Sequence, residues 1–378
     1  MDEMFDKVDI TTWLPYGEQL RVLLSGDHIS TGEVSALARS KGLFASNLDR
    51  AHLIQFLSTT LIQPRELEQL IDSAVSRESK PKEQPQKVRL TAAGSQWQTA
   101  VERLEGEFVD VAGLDSVPGV SFASEPTIRK VDRNHLVVSY EINREDYSRD
   151  LLHRELSFKA EISIRQTEGE LVLDVLSTHT AKETDRINDR IMKYVTAELQ
   201  RAGISEDSAP EKIYLGSFDG NGHVTFLLRL AGPGTVGTEP GRIVDLTIKP
   251  NHARQDAELP PELKLLEGSI RNVRMDGDKL NEISLLADER YHGSFLMTRV
   301  VVEQAFEQAG IKGTCTVSYM FQVARGSNDH VRAPFSFGIE GISINGARKS
   351  EQQQKAKKAL TAAILAGVDR HFNTLRAR

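Results

Sequence analysis

The feature that most limits what this chain can fold into is a change of hydrophobic period near residue 130. Before that point apolar residues recur at three- and four-residue steps, and after it they alternate. The first spacing lines one face of a helix and the second lines one face of a strand. The expected class is therefore α+β, with an N-terminal helical module followed by repeated antiparallel β-sheet-plus-helix units.

In the first part, Leu20, Leu23 and Leu24 form a stripe after Pro15, and Ser30 with Glu33 has the spacing of a capping box. Gly42 is placed to end that helix in the left-handed conformation. Leu53, Ile54 and Leu57 mark a third helix, and Pro64 opens a fourth with Leu67 and Leu70. Residues 77–89 hold two prolines, many charges and almost nothing to bury, which reads as a linker. Trp97, Val101, Leu104 and Phe108 give one more short helix.

Strands are expected at 136–142, 156–164 and 171–175, followed by a helix whose face is Ile187, Ile191, Val195 and Leu199. Further strands are read at 223–230 and 243–248, a helix near 295–309 ending at Ala309-Gly310, a strand from Thr316, and a helix over 350–375. The resulting division is 1–76 for the helical module, 77–89 for the linker, and 90–205 and 206–378 for the α+β units. Residues 138–161 align without gaps on 317–340, with Val138/Val317, Tyr140/Tyr319 and Phe158/Phe337 among the identical pairs. Internal duplication and convergent strand patterning both remain open as explanations.

A chain of 378 residues exceeds one small core, and 39% hydrophobic with 27% charged residues is a globular rather than a disordered composition. The single cysteine, Cys315, excludes an internal disulfide and a multi-cysteine zinc site, and reads as a buried, inert thiol. The N-terminus lacks a signal-peptide core, and no stretch approaches the roughly 20 apolar residues that span a bilayer, so a cytoplasmic protein is expected. Net charge is −7, which argues against a general polyanion binder. The distribution is uneven, however. Residues 1–76 carry six Lys and Arg against eleven Asp and Glu, while 348–378 carry eight against two. A basic terminal helix on an acidic body implies an oriented partner surface.

Motifs for chemistry are sparse. Gly232-Pro233-Gly234-Thr235-Val236-Gly237 has the G-x-G-x-x-G spacing but leads into a strand, not the helix that would receive a pyrophosphate. It reads as a glycine-rich hairpin loop, and Asp219-Gly220-Asn221-Gly222 reads as a tight hairpin turn rather than a calcium loop. Glu262-Leu263-Lys264 has the acidic-x-Lys spacing of a nuclease, but it follows two prolines. No cofactor, metal ligand set or catalytic group is assigned. An alternative stays open, a metal-dependent hydrolase or nuclease whose dispersed residues the fold gathers, with Asp174, His179, Asp245 and Lys249 as candidates.

The run Glu33 to Ser46 with Leu53-Ile54-Gln55-Phe56-Leu57 resembles a SAP-type helix–extended–helix motif, which implies DNA-backbone contacts from Arg39, Lys41 and Arg50. That family's basic Gly-Lys after the turn is replaced here by Asn47-Leu48-Asp49. A second resemblance runs from Leu14-Pro15-Tyr16-Gly17 through Lys41-Gly42-Leu43-Phe44 to Gln63-Pro64-Arg65-Glu66-Leu67. It is similar to the N-terminal module of the non-nuclease subunit in a two-gene bacterial anti-phage defence pair. What these imply is a non-catalytic nucleic-acid- and partner-binding subunit of a hetero-complex or oligomer, with a nuclease subunit as its protein partner. Arg348, Lys349, Lys355, Lys357 and Lys358 would supply phosphate contacts on the terminal helix.

Overall fold

The computed structural model describes residues 14–25, 29, 31–43, 50–70, 80–92, 96–114, 117, 119–145, 155–167, 170–251, 273–278, 280–323, 330–344 and 350–376. In chain order its elements are α1 (Gly17–Ser25), α2 (Thr31–Ser40), α3 (Arg50–Ser58), α4 (64–70), β1 (Lys82–Arg89), α5 (Trp97–Glu102) and α6 (Phe108–Ala112). Next come β2 (Val120–Asp132), β3 (His135–Glu145), β4 (Glu155–Gln166), β5 (Val172–His179) and α7 (Lys182–Arg201). The remainder is β6 (Glu211–Lys212), α8 (Gly222–Ala231), β7 (Arg242–Pro250), β8 (Val273–Asp276), α9 (Ser284–Ala287), β9 (Phe295–Gln308), β10 (Ile311–Phe321), β11 (Phe335–Ile344) and α10 (Ser350–Leu375). The α+β class holds. Among the described residues no helix is long and apolar enough to cross a membrane.

Two compact units emerge, one of Met1–Lys80, Gln96–Ser163 and His179–Leu199, the other of Pro81–Ser95, Ile164–Thr178 and Gln200–Arg378. In the first, α1 to α4 close around Leu20, Leu24, Val34, Leu57 and Leu67, all essentially sealed from solvent. α2 stops as its sequence dictates. Gly42 has φ +79°, its N–H reaches Arg39 O at 2.9 Å, and Leu43 N–H reaches Ala38 O at 2.9 Å. Those are the two bonds of a Schellman cap, with Leu43 folded onto the helical core. The β strands of this unit run β2-β3-β4. α7 buries Ile187, Ile191, Val195 and Leu199 on one face, as expected.

In the second unit the strand order is β5-β1-β11-β10-β9-β7-β8, with β6 also paired to β1. α8 and α10 share its core with Val300, Val317, Tyr319 and Phe337. α10 contributes Ala356, Leu360, Ile364 and Val368 at four-residue steps, all fully buried, and each of the three larger side chains is worth roughly 1.5–3 kcal/mol. The rings of Phe218, Phe226, Phe321, Phe335 and Phe372 meet edge-on or tilted, at centroid separations of 4.9 to 6.5 Å.

Four readings from sequence are corrected. Residues 82–89, the end of the expected linker, form strand β1. Residues 223–230 are helical, because His223, Val224, Phe226, Leu227 and Leu230 are the buried face of α8. Asp219-Gly220-Asn221-Gly222 therefore leads into a helix and not across a hairpin. Residues 295–308 are strand β9, flanked by β7 and β10 and buried on both faces at Val300, Val301 and Val302, so the alternation that marks a half-exposed strand is missing. Glu262-Leu263-Lys264 lies outside the described residues.

The expected helix end at Ala309-Gly310 is a two-residue hairpin turn. Ile311 pairs with Gln308 across it, and both turn residues have positive φ, +52° and +76°. A type I′ turn needs that conformation twice, and alanine adopts it at a cost of about 1 kcal/mol. Ala309→Asn is expected to stabilise the chain by about 0.5–1 kcal/mol and Gly310→Ala to destabilise it by about 1 kcal/mol. Shifts of the urea midpoint at constant slope would check both.

Candidate functional site

The cations named for phosphate contact divide into two groups. In the helical module, Lys41 is ion-paired to Glu66 and largely buried. Burial pushes the Glu66 carboxyl up, but the bonds from Lys41 and from Gln63 N–H outweigh it and hold the group below its ordinary value. Arg50 donates to Leu24 O at 2.6 Å, closing the end of α1. Arg39 is exposed, with its Nε 3.3 Å from Ser35 O. Two of the three residues are thus committed to joining helices. On α10, Lys355 and Lys358 are exposed and Lys357 is half-buried. Arg348 and Lys349 lie outside the described residues.

Within the second unit, Asp174 and Asp245, two of the four candidates for a hydrolytic centre, do not converge. Asp174 on β5 and Asp245 on β7 are separated by five inter-strand steps, about 24 Å. Lys87 of β1 lies 3.7 Å from Asp174 and 3.0 Å from Asp369, joining two strands and α10. Burial pushes the Asp174 carboxyl up and the neighbouring Lys87 charge partly offsets it. Asp245 receives Arg274 at 2.7 Å and Arg299 at 2.6 Å, and Arg299 continues to Glu340 at 3.1 Å. Burial would raise Asp245, but the two guanidinium groups hold it below the usual carboxylate value. A carboxylate so compensated is an anchor across strands, not a cation ligand. Burial lowers the Lys249 amine. His179, in the first unit, is buried with its Nδ1 3.5 Å from Asp185. Among the described residues, no three His, Cys, Asp or Glu groups are placed to hold a metal ion.

The G-x-G-x-x-G segment joins α8 to β7 and lies on β9. A Cβ at Gly237 would come 2.2 Å from Ala305 O, so glycine is required by close backbone approach. Gln304 and Gln308 donate to Glu239 O at 2.6 Å and Val236 O at 3.0 Å. The cradle that a phosphate would need is filled by the protein itself.

Sequence reasoning missed two buried histidines, because single histidines carry no spacing signal. His223 opens α8, and His292 precedes β9 with its Nε2 3.0 Å from Leu286 O. Burial lowers the His223 imidazole to about 4, a backbone bond at Phe295 opposes this, and His292 adds to it. His223 Nε2 and His292 Nδ1 have no hydrogen-bond partner.

The described surface exposes eight large hydrophobic side chains, and five of them fall within residues 14–61: Leu14, Tyr16, Val22, Phe56 and Leu61. Tyr16 is 76% and Leu61 87% exposed. Val22 lies on α1 and Phe56 on α3, two helices that pack together. Such a surface is suited to docking.

Residues 18–80 match the family described as the GAPS4b protein N-terminal domain, so a module associated with anti-phage defence stands at this end of the chain. No curated protein matches the chain. A solved structure similar to it is the crystal structure of DynU16, a protein of the dynemicin biosynthetic locus. It is 11% identical, with 76% of this chain and 97% of that one covered, and the TM-score of 0.20 carries no argument.

The buried imidazole gives a pH dependence. Unfolded histidine binds its proton near pH 6.5, whereas folded His223 resists until about 4. The unfolded state therefore binds more protons in that window, and stability falls as pH drops through it, by about 3 kcal/mol in full. Comparing unfolding free energies of the wild type and His223→Gln from pH 7 to 4 checks this, and parallel profiles would refute it.

Proposed function

We propose that this chain is a non-catalytic subunit of an anti-phage defence complex. It docks a protein partner through its N-terminal module and holds nucleic acid on its basic terminal helix. The observation behind the docking role is the set of large apolar side chains left exposed on an acidic module, since exposed apolar area clustered in one segment is typical of interaction sites. Within that module, the commitment of Lys41 and Arg50 to internal contacts favours protein docking over phosphate binding. The nuclease partner is what the module's resemblance implies. On α10, Lys355 and Lys358 face solvent, where phosphate contacts cost little desolvation.

The test is co-purification of the tagged full chain from its native host, identifying bound protein and bound nucleic acid separately. Val22→Ser with Phe56→Ser is expected to lose the protein, and Lys355→Glu with Lys358→Glu to lose the nucleic acid. Nucleic-acid affinity should fall with salt at a logarithmic slope of about −2 or steeper. A flat salt response removes nucleic acid from the function. Hydrolysis of DNA by the purified chain with Mg²⁺ or Mn²⁺, lost in Asp174→Ala, would overturn the non-catalytic reading.

A further inference from the structure

We infer that His223 and His292 form a buried site for one copper(I) ion, using none of the residues assigned to the protein partner or to nucleic acid. The two side chains are 2% and 3% exposed and belong to the same unit. Each has one ring nitrogen engaged with the backbone and one without a partner. His292 Nε2 lies 3.0 Å from Leu286 O, and a carbonyl can only accept. Nε2 therefore carries the hydrogen, and in the neutral ring the unpartnered Nδ1 carries a lone pair. For His223, the backbone bond at Phe295 favours the charged ring, so the ring donates and the Phe295 carbonyl accepts. His223 Nε2 has no partner, so that bond leaves from Nδ1 and Nε2 is the bare nitrogen.

Phe295 brings the two imidazoles to one place. Its carbonyl holds His223, its own ring lies 6.2 Å from the His292 ring, and the His292 charge is felt at His223. A bare nitrogen on a ring whose other nitrogen is fixed by a carbonyl is the state in which histidine binds metal. The surroundings select the ion. Leu285, Leu286 and Phe295 are buried, and Met297, two residues along β9 on the Phe295 face, adds a soft thioether and no charge. Among the described residues no group of three His, Cys, Asp or Glu is placed to hold a metal, so zinc would lack the four ligands it takes. The cost of burying an uncompensated ion also grows with the square of its charge. Copper(I) is monovalent and soft, and two nitrogens suffice for it. A water between the rings would give both hydrogens to the two nitrogens and leave its own oxygen unpaired.

Anaerobic titration of the full chain with copper(I) against bicinchoninate, a chelator that reports by colour, tests this. The wild type is expected to withdraw one equivalent, and His223→Gln or His292→Gln to weaken the withdrawal by about tenfold or more. No withdrawal, or withdrawal that either variant keeps in full, would overturn the site. A tighter hold on Zn²⁺ than on copper(I) would overturn the choice of ion. Nitrogen-15 spectra of the histidine-labelled wild type read the same site without any substitution. His223 Nε2 and His292 Nδ1 should be the unprotonated nitrogens, and both should shift with one equivalent of copper(I). Signals there that copper(I) leaves unchanged, as a bridging water alone would give, reject the site even if neither variant folds.

Discussion

The second unit depends on the backbone of β1. Its side chains are polar and charged, yet Glu83, Gln84 and Gln86 are buried, because the strand lies between β5 and β11 in the sheet. A buried main chain must have its N–H and C=O groups paired, and a sheet interior supplies those partners from both sides. Pro85, which has no N–H to give, falls between the pairing of Glu83 with Phe337 of β11 and the pairing of Gln86 and Lys87 with β6. Gln86 also donates to Gln84 and Ser177, and Lys87 ties the strand to Asp369 of α10. Without β1, the β5 strand would lose its link to β11, and Asp369 of the terminal helix its contact with Lys87.

Charge within the sheet follows the same economy. Asp245, Arg274, Arg299 and Glu340 form a chain across strands in which two cations meet two anions. Such a network is neutral and satisfied, which suits fixing strand order. Lys355 and Lys358 of α10 are among the described cations that face solvent, and five of the eight large apolar side chains exposed among the described residues fall in the helical module. Within the second unit, Asp174 and Asp245 are held apart by the strands between them.

What the sequence determined by itself was local. The helical module, its Gly42 cap, the strands near 136–175, the α7 face and the terminal helix were legible because their apolar residues repeat at a period that only one local structure can use. The defence association of the N-terminal module came from a resemblance carried by Leu14-Pro15-Tyr16-Gly17, Lys41-Gly42-Leu43-Phe44 and Gln63-Pro64-Arg65-Glu66-Leu67, not from periodicity, and the family match over residues 18–80 supports it.

Tertiary structure decided the rest. β9 showed no alternation because its neighbours bury both faces, α8 shared enough apolar density with a strand to be misread, and Ala309-Gly310 ends a strand in a conformation that also ends helices. β1 could not be seen at all, because backbone pairing with distant strands, not its own side chains, makes it a strand. The fates of Lys41, Arg50 and Asp245 were equally hidden. A charge along a sequence is a candidate for any partner, and only folding shows which counter-charge or carbonyl already occupies it.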